Sequence, residues 1–335
     1  MMSLHALCAS HIPDGGAARL GAFRDMVGSW RSQTSREACP LLVSMSCDAG
    51  IAPVVMRVVE QLHRESGVGL SITVHAGERR SQFQHYRSLV HGQRETLRGW
   101  VMFTDDDDVW HPQRVEYYQN GVAEVEGELE GDPSVLALCA RAVALGPFEG
   151  SDVERAIASG QVKTSKREHG LEHWMLSCRA SALEDFVDRA DEELIADRYC
   201  DMYLVKYLVY SEGFKCGELM RPACAPDASE WDGALYAYRH EPGARRFDEG
   251  MPESEIVRHL VVLAYVELPG MLRTPDMLRR KLVACVEKSY GFKASGRFLR
   301  ACRELVDSGA VDAFVNSPMP GAAKGYSRAM KKWKQ

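Results

Sequence analysis

Four consecutive aspartates, Asp105 to Asp108, follow the apolar segment Trp100-Val-Met-Phe-Thr104 and precede Val-Trp-His-Pro112. Adjacent carboxylates repel one another, so at the end of a buried strand they call for a compensating cation. Their hard oxygens suit Mg²⁺ or Mn²⁺, which take one or two carboxylates and fill the remaining positions with substrate phosphates. Asp105 and Asp107 are the expected metal ligands, and Asp105 and Asp106 are also expected to face the bound diphosphate. A solvated acidic turn capping the helix after Pro112 is the competing reading. The strand before the cluster and the Trp-His-Pro after it weigh against that reading.

A cluster of this kind needs a frame, and the hydropathy pattern supplies one. Leu4–Ala9, Leu41–Ser46, Leu70–Val74, Trp100–Thr104 and Val135–Ala140 read as strands. Between them Leu20, Phe23, Met26, Val27 and Trp30 share one helical face, and Val55, Val58, Val59 and Leu62 share another. Strands separated by helices of this length predict an α/β fold with a mostly parallel sheet flanked by helices. The charged stretch from about Gly146 to Gly170 reads as a loop, and Leu235–Arg239 as a short strand. Beyond Pro252 the pattern is helical throughout, which predicts a C-terminal helical extension over 251–335 to a domain spanning 1–250.

The segment F-T-D-D-D-D-V-W-H-P resembles the metal-binding motif of inverting family 2 glycosyltransferases, an apolar strand followed by Asp-x-Asp-Asp, an aromatic and a proline. The resemblance covers about residues 4 to 240. It implies a GT-A-like fold, Mn²⁺ or Mg²⁺, a nucleoside-diphosphate sugar donor with UDP favoured, and a glycan or other hydroxyl acceptor. Position by position, it implies that Ser10 in Ala9-Ser-His-Ile-Pro13 lies near the nucleoside. Asp48 in Ser46-Cys-Asp-Ala-Gly50 would contact the base, although the family's usual acidic pair is missing there. Arg80, at the polar helix start Glu78-Arg-Arg-Ser-Gln82, would meet the nucleotide, where its fork of donors suits a diphosphate.

On the acceptor side, Ala196-Asp-Arg-Tyr-Cys-Asp-Met-Tyr-Leu204 resembles the family's acidic helix start. That leaves Asp197 or Asp201 as the general base, with Asp201 favoured and helix capping the alternative role for Asp197. Leu235-Tyr-Ala-Tyr-Arg-His-Glu241 resembles an Arg-x-His ending that makes His240 the third metal ligand. His173 and Trp174 fit either the acceptor site or, preferably, core packing.

The implied activity is metal-dependent inverting transfer of a sugar to a hydroxyl. A sugar nucleotidyltransferase is one alternative, with Asp14-Gly-Gly-Ala-Ala-Arg19 as a faint phosphate loop. A catalytically inert nucleotide-sugar-binding module is another. An aspartyl-nucleophile phosphatase fits less well, because its Asp-x-Asp-x-Thr follows the first strand.

The bulk properties narrow the field further. The chain has 335 residues, 45% hydrophobic and 26% charged, with a net charge of −6. That is a globular composition without the positive field that non-specific nucleic-acid binding requires, so no nucleic-acid partner is expected. Neither a signal peptide nor an apolar run of spanning length stands out. Ten cysteines without a C-x-x-C pair predict reduced thiols and a cytoplasmic location. The basic tail from Lys324 to Lys334, interleaved with Tyr326, Met330 and Trp333, suits peripheral contact with an anionic membrane, with a solvated terminus as the favoured reading.

Overall fold

The computed structural model describes residues 3–36, 39–128, 135–139, 143–145, 155, 173, 176–197, 200–210, 215–218 and 236–239. Its first half alternates strand and helix: β1 (Leu4–Ile12), α1 (Ala17–Arg31), β2 (Leu41–Cys47), α2 (Ala52–Ser66), β3 (Leu70–Ala76), α3 (Gln82–Gly92) and β4 (Trp100–Thr104). After the acidic turn come β5 (Val109–Trp110), α4 (Arg114–Glu128), β6 (Val135–Cys139), β7 (Val143–Leu145) and β8 (Leu176–Arg179). The remaining elements are α5 (Ala180–Arg189), α6 (Glu192–Ile195), α7 (Cys200–Tyr210), β9 (Lys215–Glu218) and β10 (Tyr236–Arg239).

The main sheet has seven strands in the order β3-β2-β1-β4-β8-β6-β9. Pairings β1·β2, β2·β3, β1·β4 and β6·β9 are parallel, and β8 runs antiparallel to both β4 and β6. This is the α/β, mostly parallel architecture expected, although nothing in the local pattern foretold that β8 would run backwards. A small sheet, β5-β10-β7, pairs β5 next to the acidic turn with β10 far along the chain.

Burial on both faces explains why β1, β2 and β4 read as nearly continuous apolar runs. On one face Leu4, Ala6, Cys8, Val43, Met45, Trp100 and Met102 pack against Phe23, Val27 and Trp30 of α1 and Val55, Val59 and Leu62 of α2. The Trp30 indole N–H donates to the Cys39 carbonyl at 3.0 Å, so this large ring is buried without stranding its donor. The opposite face carries Ser44 and Ser46 of β2, which meet His85 of α3. Helix α3 starts at a capping box in which Ser81 and Gln84 satisfy each other's backbone N–H groups.

The described cysteines Cys8, Cys39, Cys47, Cys178 and Cys200 are free and buried. Among the described residues no helix is long and apolar enough to cross a membrane. The expected extension over 251–335 with its basic tail, the residue His240 and most of the 146–170 loop lie outside the described residues.

Candidate functional site

The chain order reverses between β1 and β4, and a crevice forms there at the carboxyl ends of the strands. It is a cleft of about 310 Å³ lined by Ala9, Ser10 and His11 from β1, Arg19 from α1, Arg80, Gln82 and His85 around the start of α3, and Asp105, Asp106 and Asp107. Of the residues expected to form a site, Ser10, Arg80, Asp105, Asp106 and Asp107 are therefore brought together.

The carboxylates are not equivalent. Asp106 is buried, and both its oxygens are used: Arg19 donates to Oδ1 from Nη2 at 2.6 Å and to Oδ2 from Nε at 3.0 Å, and Ser10 Oγ donates to Oδ2 at 2.5 Å. This fork geometry makes Asp106 an anchor for Arg19 across the cleft mouth. Asp108 is fully buried beneath the turn. Asp105 and Asp107 are the cluster members left partly open to the cleft. Burial, then Asp107 and Asp106, push the Asp105 carboxyl up to about 7 against the opposing pull of Arg19 and a hydrogen bond from Gln82. A carboxyl held so high is one short of positive charge, which is the donor chemistry a hard cation relieves. Among the described residues no three His, Cys, Asp or Glu side chains converge on one point. A metal here would use one or two carboxylates and depend on the substrate for further oxygens.

The wall formed by β1, β2 and β3 is a continuous hydrogen-bonded chain. His11 Nδ1 meets Ser46 Oγ at 2.9 Å, Ser46 Oγ meets His85 Nε2 at 3.0 Å, and His85 Nδ1 meets Ser44 Oγ at 2.8 Å. Ser44 Oγ then meets His75 Nε2 at 3.1 Å, which lies 3.3 Å from Arg80 Nη1. Burial, with His75, Arg80 and His11 adding to it, pushes His85 down to about 3, so its ring is neutral at ordinary pH. Arg80 is braced by Glu78 at 2.7–2.8 Å and donates to Ser88 Oγ at 2.9 Å. Asp48 stands one layer back: its Oδ2 accepts the Asp14 backbone N–H at 2.9 Å, and its Oδ1 lies 3.8 Å from His11 Nε2.

On the other side of the acidic turn stands His173, only 3% exposed and enclosed by the rings of Phe83, Tyr86 and Phe103. Its Nε2 lies 3.7 Å from Asp105 Oδ1, and its Nδ1 lies 3.8 Å from Asp201 Oδ2 in the first turn of α7. Asp201 is not among the residues lining the cleft; the His173 ring stands between it and Asp105. Asp197 is buried in the turn between α6 and α7, where its carbonyl accepts the Cys200 N–H at 3.2 Å. Arg19, Gln82, His11 and the bridging place of His173 were not expected. Arg19 and Asp106 are 87 residues apart, and no local pattern encodes their pairing.

No protein-family model matches this chain, and neither does any curated protein sequence. Among solved structures it is similar to the mannosyltransferase PcManGT from Pyrobaculum calidifontis, solved with GDP-Man and Mn²⁺. That match has 14% identity and a TM-score of 0.41, and covers 99% of this chain and 83% of the other. Mouse xyloside xylosyltransferase 1, in its apo form, matches at 12% identity and a TM-score of 0.32, over 64% of this chain and 78% of the other. Likeness at this level carries neither substrate nor mechanism across.

Proposed function

We propose that the protein is a metal-dependent, inverting glycosyltransferase that moves a sugar from a nucleoside-diphosphate sugar, UDP being favoured, to an acceptor hydroxyl. The observation that carries this reading is a single cleft at the β1/β4 edge where Asp105 and Asp107 face Arg19 and Arg80, with Asp201 on the far side of His173. Mn²⁺ or Mg²⁺ would be held by Asp105 and Asp107, with His240 as a further ligand, and would neutralise charge on the diphosphate. Arg80 and Arg19 supply fixed guanidinium donors toward the phosphates.

Asp201 accepts the proton of the acceptor hydroxyl as that oxygen attacks the anomeric carbon. The bond from that carbon to the diphosphate oxygen breaks on the opposite face, so one displacement inverts the carbon and needs no covalent intermediate. Asp201 is preferred over Asp197 because it approaches His173 and the acidic cluster, whereas Asp197 is buried in an interhelical turn.

The nucleotidyltransferase alternative loses ground at its phosphate loop. The Asp14 N–H is bonded to Asp48, the Gly16 N–H to the Pro13 carbonyl at 2.9 Å, and the Ala17 N–H to the Gly15 carbonyl at 2.9 Å. Those donors are engaged within the protein and are not directed at a triphosphate.

The test is calorimetric titration of UDP with Mn²⁺ and with EDTA, together with UDP release from UDP-sugars in the presence of candidate acceptors. Metal-dependent UDP binding with UDP release is the expected result. Equal affinity in EDTA and Mn²⁺ overturns the metal-bridged site, and pyrophosphate release from a nucleoside triphosphate and a sugar phosphate would identify a nucleotidyltransferase.

A further inference from the structure

His173 is enclosed by aromatic rings, yet it is polar at both ends, and the two ends differ. At Nε2 it meets Gln82 Nε2 at 3.1 Å and Tyr86 Oη at 3.4 Å. The same Gln82 amide nitrogen donates to Asp105 Oδ1 at 3.1 Å, which places the NH₂ group at this end of the Gln82 side chain. Gln82 therefore donates to both Asp105 and His173. Tyr86 Oη, 3.4 Å from the same ring nitrogen, offers its O–H to it as a second donor. With donors at Nε2, that nitrogen carries the lone pair, and the neutral ring holds its hydrogen on Nδ1.

Nδ1 is buried and has no hydrogen-bond partner among the described residues; the nearest carboxylate oxygen is Asp201 Oδ2 at 3.8 Å. Catalytic hydrogen bonds in an unliganded protein are often long and tighten when substrate binds. We infer that His173 is a positioning residue, not a catalytic one: its Nδ1–H is directed at the Asp201 carboxylate and orients it toward the cleft, while Gln82 and Tyr86 fix the ring. The inference rests on the reading of Asp201 as the base. It adds that Asp105 at the cleft and Asp201 beyond His173 are joined through Gln82 and His173.

Two measurements on the full chain test it. In the first, the chain is labelled with ¹⁵N-histidine and the His173 signal is assigned by its loss in His173→Asn. A long-range ¹H–¹⁵N spectrum is expected to show a neutral ring protonated at Nδ1, with both nitrogens shifted by Asp201→Asn. Protonation at Nε2, or ring shifts indifferent to Asp201→Asn, overturns the inference. This arm needs no substrate, so it decides the tautomer even if UDP does not bind and the glycosyltransferase reading fails.

In the second, UDP release from a turned-over UDP-sugar is compared across His173→Asn, His173→Gln and His173→Leu, with melting temperatures recorded to select folded variants. The Asn amide nitrogen falls near the Nδ1 position and the Gln amide nitrogen near Nε2. Asn is therefore expected to keep kcat within about tenfold of the parent, while Gln and Leu lose more than about tenfold with KM nearly unchanged. In the Asp201→Asn background the further loss is expected to vanish, because residues acting as a unit are non-additive. A full additional loss in that background, or variants ranked by side-chain volume alone, overturns the inference.

Discussion

The two walls of the cleft are built on opposite terms. Along β1, β2 and β3, three histidines and two serines are bonded to one another in sequence, and Arg80 and Asp48 close the ends. At the acidic end, Asp105 is raised toward neutrality by burial and then by Asp107 and Asp106, and His173 has a buried nitrogen without a hydrogen bond among the described residues. A saturated polar network fixes a shape and gains little from a ligand; an undersatisfied one is completed by whatever brings the missing charge or acceptor. Under the proposed reading, metal, phosphate and acceptor would bind at the acidic end, and the histidine–serine wall would frame it.

Substitutions at the undersatisfied end should change chemistry, and those at the saturated wall should change stability. The largest effect is expected from Asp201→Asn, which should lower the transfer rate by about 10²–10⁴-fold while leaving UDP–Mn²⁺ affinity nearly intact. Asp197→Asn is the control. If both variants transfer at the parent rate the base lies elsewhere, and if either loses UDP binding it belongs to the donor side. Next, Asp107→Asn and removal of Mn²⁺ by EDTA should each weaken UDP binding by about tenfold or more in calorimetry, since a hydrogen bond or contact to a charged group is worth about 1.5–3 kcal/mol.

Asp106→Asn is expected to act through the fold. It removes the charge from a buried acceptor that holds Ser10 and the partly exposed Arg19, and should cost about 1–3 kcal/mol, read as a lower urea midpoint. The last effect is expected at the wall and appears only as pH falls. His85 titrates at about 3 in the fold against 6.5 in the unfolded chain. The unfolded state alone gains this proton between those values, so the His85 contribution to stability falls as pH drops from 6.5 toward 3, by at most about 1.4 kcal/mol per pH unit. His75 and His11, lowered chiefly by burial, act in the same direction. Asp105 acts in the opposite one: its folded value of about 7 costs stability as pH rises above the usual carboxylate range. The difference between parent and His85→Asn isolates His85, and the variant should lose stability less steeply between pH 6 and 4. Equal acid slopes would show that His85 is not held neutral by the wall.

Some of this was legible in the sequence for a plain physical reason: it was local. Trp100–Thr104 is both the expected and the observed strand, because five buried residues end abruptly at four aspartates. Strands β1, β2 and β3 were also found, with ends off by one to three residues, because apolar periodicity marks the middle of an element better than its ends. What escaped depends on distant partners. Strand β5 has two residues and exists because β10 pairs with it. The division of labour among the aspartates could not be read either, since Arg19 is what removes Asp106 from the open cluster. His173 looked like a core histidine and is buried like one. What sets it apart is two carboxylates, each separated from it by a stretch of intervening chain.

The histidine–serine wall has one more property, a direction. Each serine hydroxyl has one hydrogen to give and each neutral ring one N–H, so fixing the hydrogen at either end fixes it at every link between Asp48 and Arg80. The Asp48 carboxylate favours a hydrogen on His11 Nε2, which makes Ser46 donate to His11, His85 Nε2–H donate to Ser46, and Ser44 donate to His85. The Arg80 guanidinium favours a bare His75 Nε2, which reverses every one of those donations. Neutral rings cannot satisfy both ends at once. The wall therefore admits two proton orders, one favoured from the Asp48 end and the other from the Arg80 end.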